Sequence, residues 1–244
     1  MEIIKKIAKK NKDVYSCRPA TIAFFGDSVT QGCFELYPTS ENTLDTVFDQ
    51  SSAYHAYLRD RLAEMFPASP VVIVNAGISG DNATLALSRL ERDVLSYKPD
   101  LVVVGFGLND CSSGDNGLDT YINSMRKIFT AIRQTGAEAI LLTPNVMADY
   151  LSVMVKYTAH PFVLACTEAT VQHENSGILD KYIQAAKGVA KELNVPVCDE
   201  HARWKRLKEL GADTTAMLSN YANHPTRAMN KMFAEMLLDT MIDN

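Results

Sequence analysis

The chain has 244 residues, of which 47% are hydrophobic and 22% charged, and its formal net charge is −5. This length suits one large domain with its own core, and a mildly acidic chain without a basic stripe is a poor nucleic-acid binder. No apolar run approaches the roughly 18 residues of a membrane span, so the sequence predicts a cytoplasmic protein unless a leader has been removed.

Short apolar runs and amphipathic segments alternate along the whole chain. Four nearly continuous apolar runs are typical of strands that are buried on both faces of a parallel sheet. They lie at residues 21–25, 71–74, 101–104 and 139–142, and a shorter strand is predicted near 195–198. The spacing of apolar residues predicts helices at 83–94, 122–132 and 178–193 and a last helix that starts at Pro225.

These repeated β-α units predict one α/β domain at residues 21–244, preceded by an N-terminal extension at 1–20. Two stretches interrupt the alternation. Residues 33–50 contain four acidic residues and no lysine or arginine, and residues 144–176 are long for a connection. Long insertions at strand ends in α/β folds often cover a site, but a surface helix that packs its own apolar face is equally compatible with either stretch.

Neither a metal nor a cofactor is predicted. The five cysteines are far apart and form no Cys-x-x-Cys pair, so reduced thiols are expected, with Cys33 and Cys111 as ordinary packing residues near the predicted site. No histidine or carboxylate spacing matches a metal site. His55 is predicted to be a partly buried helix residue and His201 a surface residue. His160 and His173, in the second stretch, are candidates for lining a substrate pocket.

Three polar positions follow three of the predicted strands. Ser28, Gly80 and Asn109 come after the first, second and third strand, and ligands of open α/β sheets bind beyond the carboxyl ends of the strands. Taken singly, each residue could be a helix cap or a turn residue. With His224, near the head of the last helix, they supply a hydroxyl nucleophile, a base and oxyanion donors. Those are the parts of an acyl-transfer site.

The motifs at these positions resemble those of the SGNH (GDSL-like) hydrolase family. GDSVTQG at residues 26–32, NAGISGD at 75–81 and GLND at 107–110 are similar to its first three blocks. The resemblance implies a flavodoxin-like three-layer α/β/α sandwich around a five-stranded parallel sheet. It also implies that Ser28 is the nucleophile and His224 the base. The backbone N–H groups of Ser28 and Gly80 and the amide of Asn109 would form the oxyanion hole.

One position departs from the pattern of the family. Its members usually have an aspartate three residues before the histidine, where it orients the imidazole, and Tyr221 occupies that position here. The site is therefore predicted to be a Ser–His dyad with a main-chain carbonyl holding the ring, unless another side chain takes that role. The candidates for supporting the site are Asp27, Asn220 and Asn223, together with Asp199 or Asp213 if the fold brings them close.

These residues predict hydrolysis of a carboxylic ester through an acyl-enzyme, with a small-molecule ester as the partner. A short acyl group such as acetyl, on a carbohydrate or small alcohol, is expected, because no extended apolar loop indicates a lipid interface and the family includes many such esterases. The alternatives are a lysophospholipase or thioesterase of the same family, a binding module that has lost turnover, and a flavodoxin-like nucleotide or phosphate binder. The last of these would leave Asn109 and His224 without a role.

Overall fold

The computed structural model describes residues 1–41, 43–158 and 160–244. Within them lie seven strands: β1 (Ala20–Gly26), β2 (Cys33–Ser40), β3 (Thr43–Phe48), β4 (Val71–Gly77), β5 (Leu101–Gly105), β6 (Glu138–Leu142) and β7 (Val197–Cys198). Five of these strands form a parallel sheet in the order β4-β1-β5-β6-β7, which is the flavodoxin-like order. The predicted five-stranded parallel sheet is confirmed.

Helices cover both faces of this sheet, which gives the three predicted layers. Within the described residues they are α1 (Glu2–Lys12), α2 (Ser28–Gln31), α3 (Tyr54–Met65), α4 (Ala83–Ala86), α5 (Leu90–Asp93), α6 (Gly114–Gln134), α7 (Val153–Thr158), α8 (Pro161–Ser176), α9 (Ile178–Glu192), α10 (Glu200–Glu209) and α11 (Arg227–Asp243). One layer contains α1, α3 and α11, and the other contains α6 and α9. None of the described helices is long and apolar enough to cross a membrane.

Neighbouring side chains of β1 show how the core is divided between the layers. Phe24 contacts Tyr54 of α3, with ring centroids 5.6 Å apart, and Phe25 contacts Phe106 at 5.2 Å. Every residue of β1 is buried, as expected for a central strand with helices on both faces. Successive side chains of a strand point to opposite faces, so the side chains of β1 pack against both helical layers. Its carboxyl end, which Ser28 follows, is flanked on both sides by the carboxyl ends of neighbouring strands.

The stretch at 33–50 is a β-hairpin, so the surface-helix alternative is wrong for it. β2 and β3 pair with each other in antiparallel fashion. The stretch is rich in aromatic and β-branched residues, which favour strands. The stretch at 144–176 contains α7 and α8, and α8 packs against both hairpin strands. The two irregular stretches therefore lie side by side.

The last helix begins two residues later than predicted. Its first residue is Arg227, and Thr226 caps it by accepting a hydrogen bond from the N–H of Met229. Pro225, the predicted first residue, pairs with Leu218 in an isolated antiparallel bridge. This bridge keeps the chain extended up to the capping residue, so the helix begins only after it.

The N-terminal extension contains α1, which packs onto the domain. Ile3 and Ile7 are buried in the same core as the sheet. The carboxylate of Glu138, at the start of β6, accepts hydrogen bonds from the N–H groups of Glu2 and Ile3 and caps the helix. The predicted helix at 83–94 is divided into α4 and α5 by a 3₁₀ turn.

Candidate active site

Ser28 lies in the sharp turn after the central strand β1. Asp27 caps the short helix α2, since its Oδ1 accepts a hydrogen bond from the N–H of Val29 at 3.0 Å. A Cβ at Gly26 would lie 2.2 Å from Thr30 Oγ1, so the turn needs glycine before the cap. This turn places the side chain of Ser28, 4% exposed, at the carboxyl edge of the sheet.

His224 meets Ser28 although 196 positions separate them in the sequence. Its Nε2 lies 3.0 Å from Ser28 Oγ, and its Nδ1 lies 2.8 Å from the carbonyl oxygen of Phe34. A carbonyl only accepts hydrogen bonds, so Nδ1 carries the proton and Nε2 presents its lone pair to the serine hydroxyl. Burial of the ring lowers the pKa of His224 and favours this neutral form. The ring therefore has the tautomer that a general base for Ser28 requires.

The Nδ1 proton of His224 is bound by a main-chain carbonyl and not by a carboxylate. Tyr221, at the position of the family's aspartate, has a left-handed backbone with φ of 52°. Asp213 accepts a hydrogen bond from a tyrosine hydroxyl at 2.7 Å, and Asp199 caps α10 and pairs with Lys187. Their carboxylates are thus engaged elsewhere, and the geometry is that of the dyad alternative.

Asn220 and Asn223 shape the loop that leads to His224. Oδ1 of Asn220 accepts hydrogen bonds from three successive N–H groups, those of residues 222–224, at 2.9–3.0 Å. Its Nδ2 donates to Asn223 Oδ1 at 3.0 Å. Asn145, in the stretch at 144–176, donates to the carbonyl of Asn223 at 2.9 Å. These side-chain amides therefore stabilise the backbone conformation of the loop that contains His224.

Gly80 and Asn109 lie on loops that touch each other. Asn109 Nδ2 donates a hydrogen bond to the Asp81 carbonyl at 2.8 Å, and a side-chain amide has a second N–H to offer. Gly80 has a φ of 77°, in the left-handed region that favours glycine. A Cβ there would meet nothing within 4 Å. Backbone conformation, and not lack of space, accounts for glycine at this position.

Hydrogen bonds tie together the three motif loops, which are residues 26–32, 75–81 and 107–110. Asp110 of the third loop accepts a hydrogen bond at 2.9 Å from the backbone just after the second. Gln31 Oε1 of the first loop accepts one from a backbone N–H of the second at 2.6 Å. The loops that contain the predicted nucleophile and oxyanion donors are therefore held as one unit at the sheet edge.

Two buried carboxyl groups shape these loops. Burial raises the pKa of Asp27 to about 7 and that of Asp110 to about 6. Hydrogen bonds from backbone N–H groups act in the opposite direction, because they favour the ionised form. Asp27 accepts one from Val29, and Asp110 accepts one on each oxygen, from Ala83 and Gly107. Both side chains thus serve as acceptors for the backbone of the site.

The other four histidines lie on helices or at a helix end, outside the Ser28–His224 pair. The prediction that His201 is a surface residue is wrong, since it is 4% exposed and its Nε2 lies 2.6 Å from Asp180 Oδ1. His55 is buried on α3, and burial lowers its pKa to about 4. His160 caps α8 through its Nδ1, and His173 lies on the same helix. In the described ranges, no three His, Cys, Asp or Glu side chains are grouped so as to hold a metal ion.

The chain is similar to known hydrolases over most of its length. The sequence profile of the GDSL-like Lipase/Acylhydrolase family matches residues 24–232. The chain belongs to this family. It is 26% identical to an acetylxylan esterase from Geobacillus stearothermophilus over 186 residues, which are 76% of this chain and 78% of that protein.

Two further comparisons support the family and the fold. The GDSL-like chain is 29% identical over 130 residues to the thioesterase 1/protease 1/lysophospholipase L1 of Escherichia coli (strain K12), a match that covers 53% of each protein. The solved structure of a catalytic mutant of an acetylxylan esterase from Geobacillus stearothermophilus has a TM-score of 0.66 at 21% identity, and the match covers 92% of this chain and 95% of that one. The chain is a carboxylic ester hydrolase of the GDSL-like family, as predicted.

One buried residue that connects the loops of this GDSL-like enzyme could not be recognised from the sequence. Arg89 is 6% exposed, and its Nε donates to Asp81 Oδ2 at 2.7 Å. Its two terminal nitrogens donate to the carbonyls of Ala76 at 2.7 Å and Gly26 at 3.1 Å. The guanidinium also lies over the ring of Phe25. Arg89 therefore joins the carboxyl ends of β1 and β4 to the second motif loop, whereas an arginine in a helical pattern is normally expected at the surface.

Replacing Arg89 with methionine is expected to lower the free energy of unfolding by about 3–5 kcal/mol, because the buried carboxylate of Asp81 would lose its countercharge. Urea unfolding followed by circular dichroism measures this loss. Arg92→Met is the matched control, since Arg92 is three residues further on, exposed and paired with Asp93. A change within about 0.5 kcal/mol is expected for it. Equal losses in the two variants would contradict the role assigned to Arg89.

Proposed function

We propose that this enzyme hydrolyses short-chain esters, with an acetyl ester of a carbohydrate as the substrate class, through an acyl-enzyme on Ser28. The observation that carries the proposal is the contact of 3.0 Å between Ser28 Oγ and His224 Nε2, with Nδ1 of the same ring bound to the Phe34 carbonyl. This is the geometry of a hydroxyl activated by a neighbouring base. The acyl group and the alcohol are proposed from the acetylxylan esterase relative.

In the acylation step, the Ser28 oxygen attacks the carbonyl carbon of the ester, and its proton moves to Nε2 of His224. The carbonyl oxygen becomes an oxyanion and accepts hydrogen bonds from the N–H groups of Ser28 and Gly80 and from the amide of Asn109. The C–O bond to the alcohol then breaks. The imidazolium returns its proton to the departing oxygen, and the acyl group remains on Ser28.

In the deacylation step, a water molecule attacks the acyl carbon and gives its proton to His224. The oxyanion is held by the same three donors. When the bond to Ser28 Oγ breaks, the imidazolium protonates that oxygen, which restores the hydroxyl and releases the carboxylic acid. Because burial lowers the pKa of His224, the base is unprotonated at neutral pH before each step.

Hydrolysis of p-nitrophenyl acetate, butyrate and octanoate tests the proposal. We expect kcat/KM to fall as the acyl chain lengthens, acetate release from an acetylated xylo-oligosaccharide, and a fluorophosphonate adduct that peptide mapping places on Ser28. A preference for octanoate would favour the lysophospholipase or thioesterase alternative, which the Escherichia coli relative supports. A folded protein with neither turnover nor labelling would contradict the enzymatic mechanism and favour a binding module.

A further inference from the structure

The acceptor for the His224 proton lies on an element outside the central sheet. Phe34 is the second residue of β2, and among the described strands β2 pairs with β3 alone. A two-stranded ribbon is marginally stable by itself, so contacts outside the hairpin must fix its position. The imidazole keeps its orientation only while the Phe34 carbonyl stays near Nδ1, from which it lies 2.8 Å away.

Arg227, which lies outside the hairpin, contacts it through charged and aromatic groups. Its Nη1 and Nη2 lie 2.6 and 3.3 Å from the two carboxylate oxygens of Glu35, and its Nε lies 2.8 Å from Asp49 Oδ2. Its guanidinium carbon lies 4.2 Å from the centroid of the Phe34 ring. Arg227 is the first residue of α11, three residues after His224. It therefore joins the helix after the histidine to β2 and to the residue that follows β3.

These contacts are between full charges. The hydrogen bond from Arg227 lowers the pKa of Glu35, and hydrogen bonds from Ser51 and then from Arg227 lower that of Asp49 to about 2. The side chain of Arg227 is 38% exposed, so each ion pair contributes little to the stability of the fold. A planar guanidinium that makes a bidentate ion pair and stacks on a ring does, however, fix the relative orientation of the groups that it contacts. The cluster is therefore suited to positioning.

We propose that Arg227 is a positioning residue, which holds the hairpin through Glu35 and Asp49 so that the Phe34 carbonyl stays on Nδ1 of His224. This contact takes the place of the carboxylate that the family usually has three residues before the histidine. The proposal rests on the proposed function, in which His224 is the base for Ser28.

Arg227→Met is expected to lower kcat for p-nitrophenyl acetate by about 10- to 100-fold and to change KM by less than about threefold, because a displaced ring misaligns the base without removing substrate contacts. The matched control is Arg61→Met. Arg61 also pairs with two carboxylates, Glu64 and Glu235, and is similarly exposed, but it joins α3 to α11. It is expected to keep kcat within about twofold. Arg227→Lys, which retains the charge without the planar fork, should fall between the two.

A second measurement does not depend on activity. In protein labelled with ¹⁵N-histidine, the Nδ1 proton of His224 should give a slowly exchanging signal, which His224→Gln identifies by its loss. We expect this signal to persist in Arg61→Met and to exchange faster in Arg227→Met. An inactive wild-type protein would contradict the proposed function but not the positioning role of Arg227. The proton signal would still report whether Arg227 holds the carbonyl in place.

Glu35→Gln probes the same cluster if Arg227→Met fails to fold. The charge of Glu35 raises the pKa of His224 against the larger effect of burial. Its removal should therefore move the acid limb of kcat/KM to lower pH, because the base would stay unprotonated further into acid, and Arg61→Met should leave that limb in place. The proposal is overturned if Arg227→Met, or Glu35→Gln where Arg227→Met does not fold, keeps kcat within about twofold of wild type, or if the His224 proton in that variant exchanges as in the control.

Discussion

Ser28→Ala and His224→Gln are each expected to lower kcat for p-nitrophenyl acetate by roughly 10⁴- to 10⁶-fold, and the double variant is expected to be no slower than either. The first change removes the oxygen that would carry the acyl group, and the second removes the base 3.0 Å from it. Attack and proton transfer belong to one step, so the loss of one partner disables the other. The remaining rate in all three variants would come from the oxyanion donors and substrate binding.

Initial rates at high enzyme concentration, corrected for hydrolysis by buffer, measure these losses. His55→Gln is the control, because His55 is also a buried histidine but lies on α3, beside the ring of Phe24. It is expected to keep kcat within about threefold once the folded fraction is taken into account. A double variant that is slower by the product of the two single factors would show that Ser28 and His224 act independently. That result would contradict the proposed mechanism.

Most of the central sheet was predictable because its inner strands β1, β5 and β6 are covered on both faces. A strand such as β1, buried at every position, carries a nearly continuous apolar run that can be recognised without knowledge of its neighbours. The carboxyl ends of parallel strands meet at one edge, so the positions of Ser28, Gly80 and Asn109 directly after strands indicated that they lie together. The structure places their loops side by side, and their roles in catalysis stay predictions.

The hairpin β2–β3 was not predictable in this way. Only Cys33 and Phe34 of β2, and Thr46 of β3, are buried, so the stretch has neither an apolar run nor the regular alternation of a half-buried strand. Its acidic residues are typical of a solvated surface. The position of the hairpin on the rest of the protein involves contacts with α8 and Arg227, which lie far away in the sequence.

Main-chain and buried-ion contacts also have no signature in the sequence. The acceptor for His224 is the carbonyl of Phe34, a group that nearly every position of the chain offers. That some carbonyl could hold the ring was predictable from Tyr221, but which one was not. The contacts of Arg89 could not be predicted for the same reason, since two of its partners are main-chain carbonyls at strand ends. Such contacts follow from the fold and can be identified only after it is known.

Asn109→Ala is expected to lower kcat by about 10²- to 10³-fold, which corresponds to roughly 2.7–4 kcal/mol of lost transition-state stabilisation, with little change in KM. One N–H of the amide is directed to the Asp81 carbonyl, so the side chain is oriented before substrate binds. The second N–H would gain its full strength only when the carbonyl oxygen becomes an anion. Asn109→Asp should be slower still, because a carboxylate would face both the Asp81 carbonyl and the developing oxyanion.

Asn82→Ala separates this effect from a loss of stability. Asn82 lies on the neighbouring loop and accepts hydrogen bonds from the N–H groups of Thr84 and Leu85 at the start of α4. Its removal is expected to cost about 1 kcal/mol in the free energy of unfolding, close to the cost of the Asn109–Asp81 hydrogen bond, and to leave kcat within about threefold. Equal kcat in the two alanine variants would exclude Asn109 from the oxyanion hole. A large difference in kcat at similar stability would support direct action of the Asn109 amide on the transition state, because a loss of stability alone would affect both variants alike.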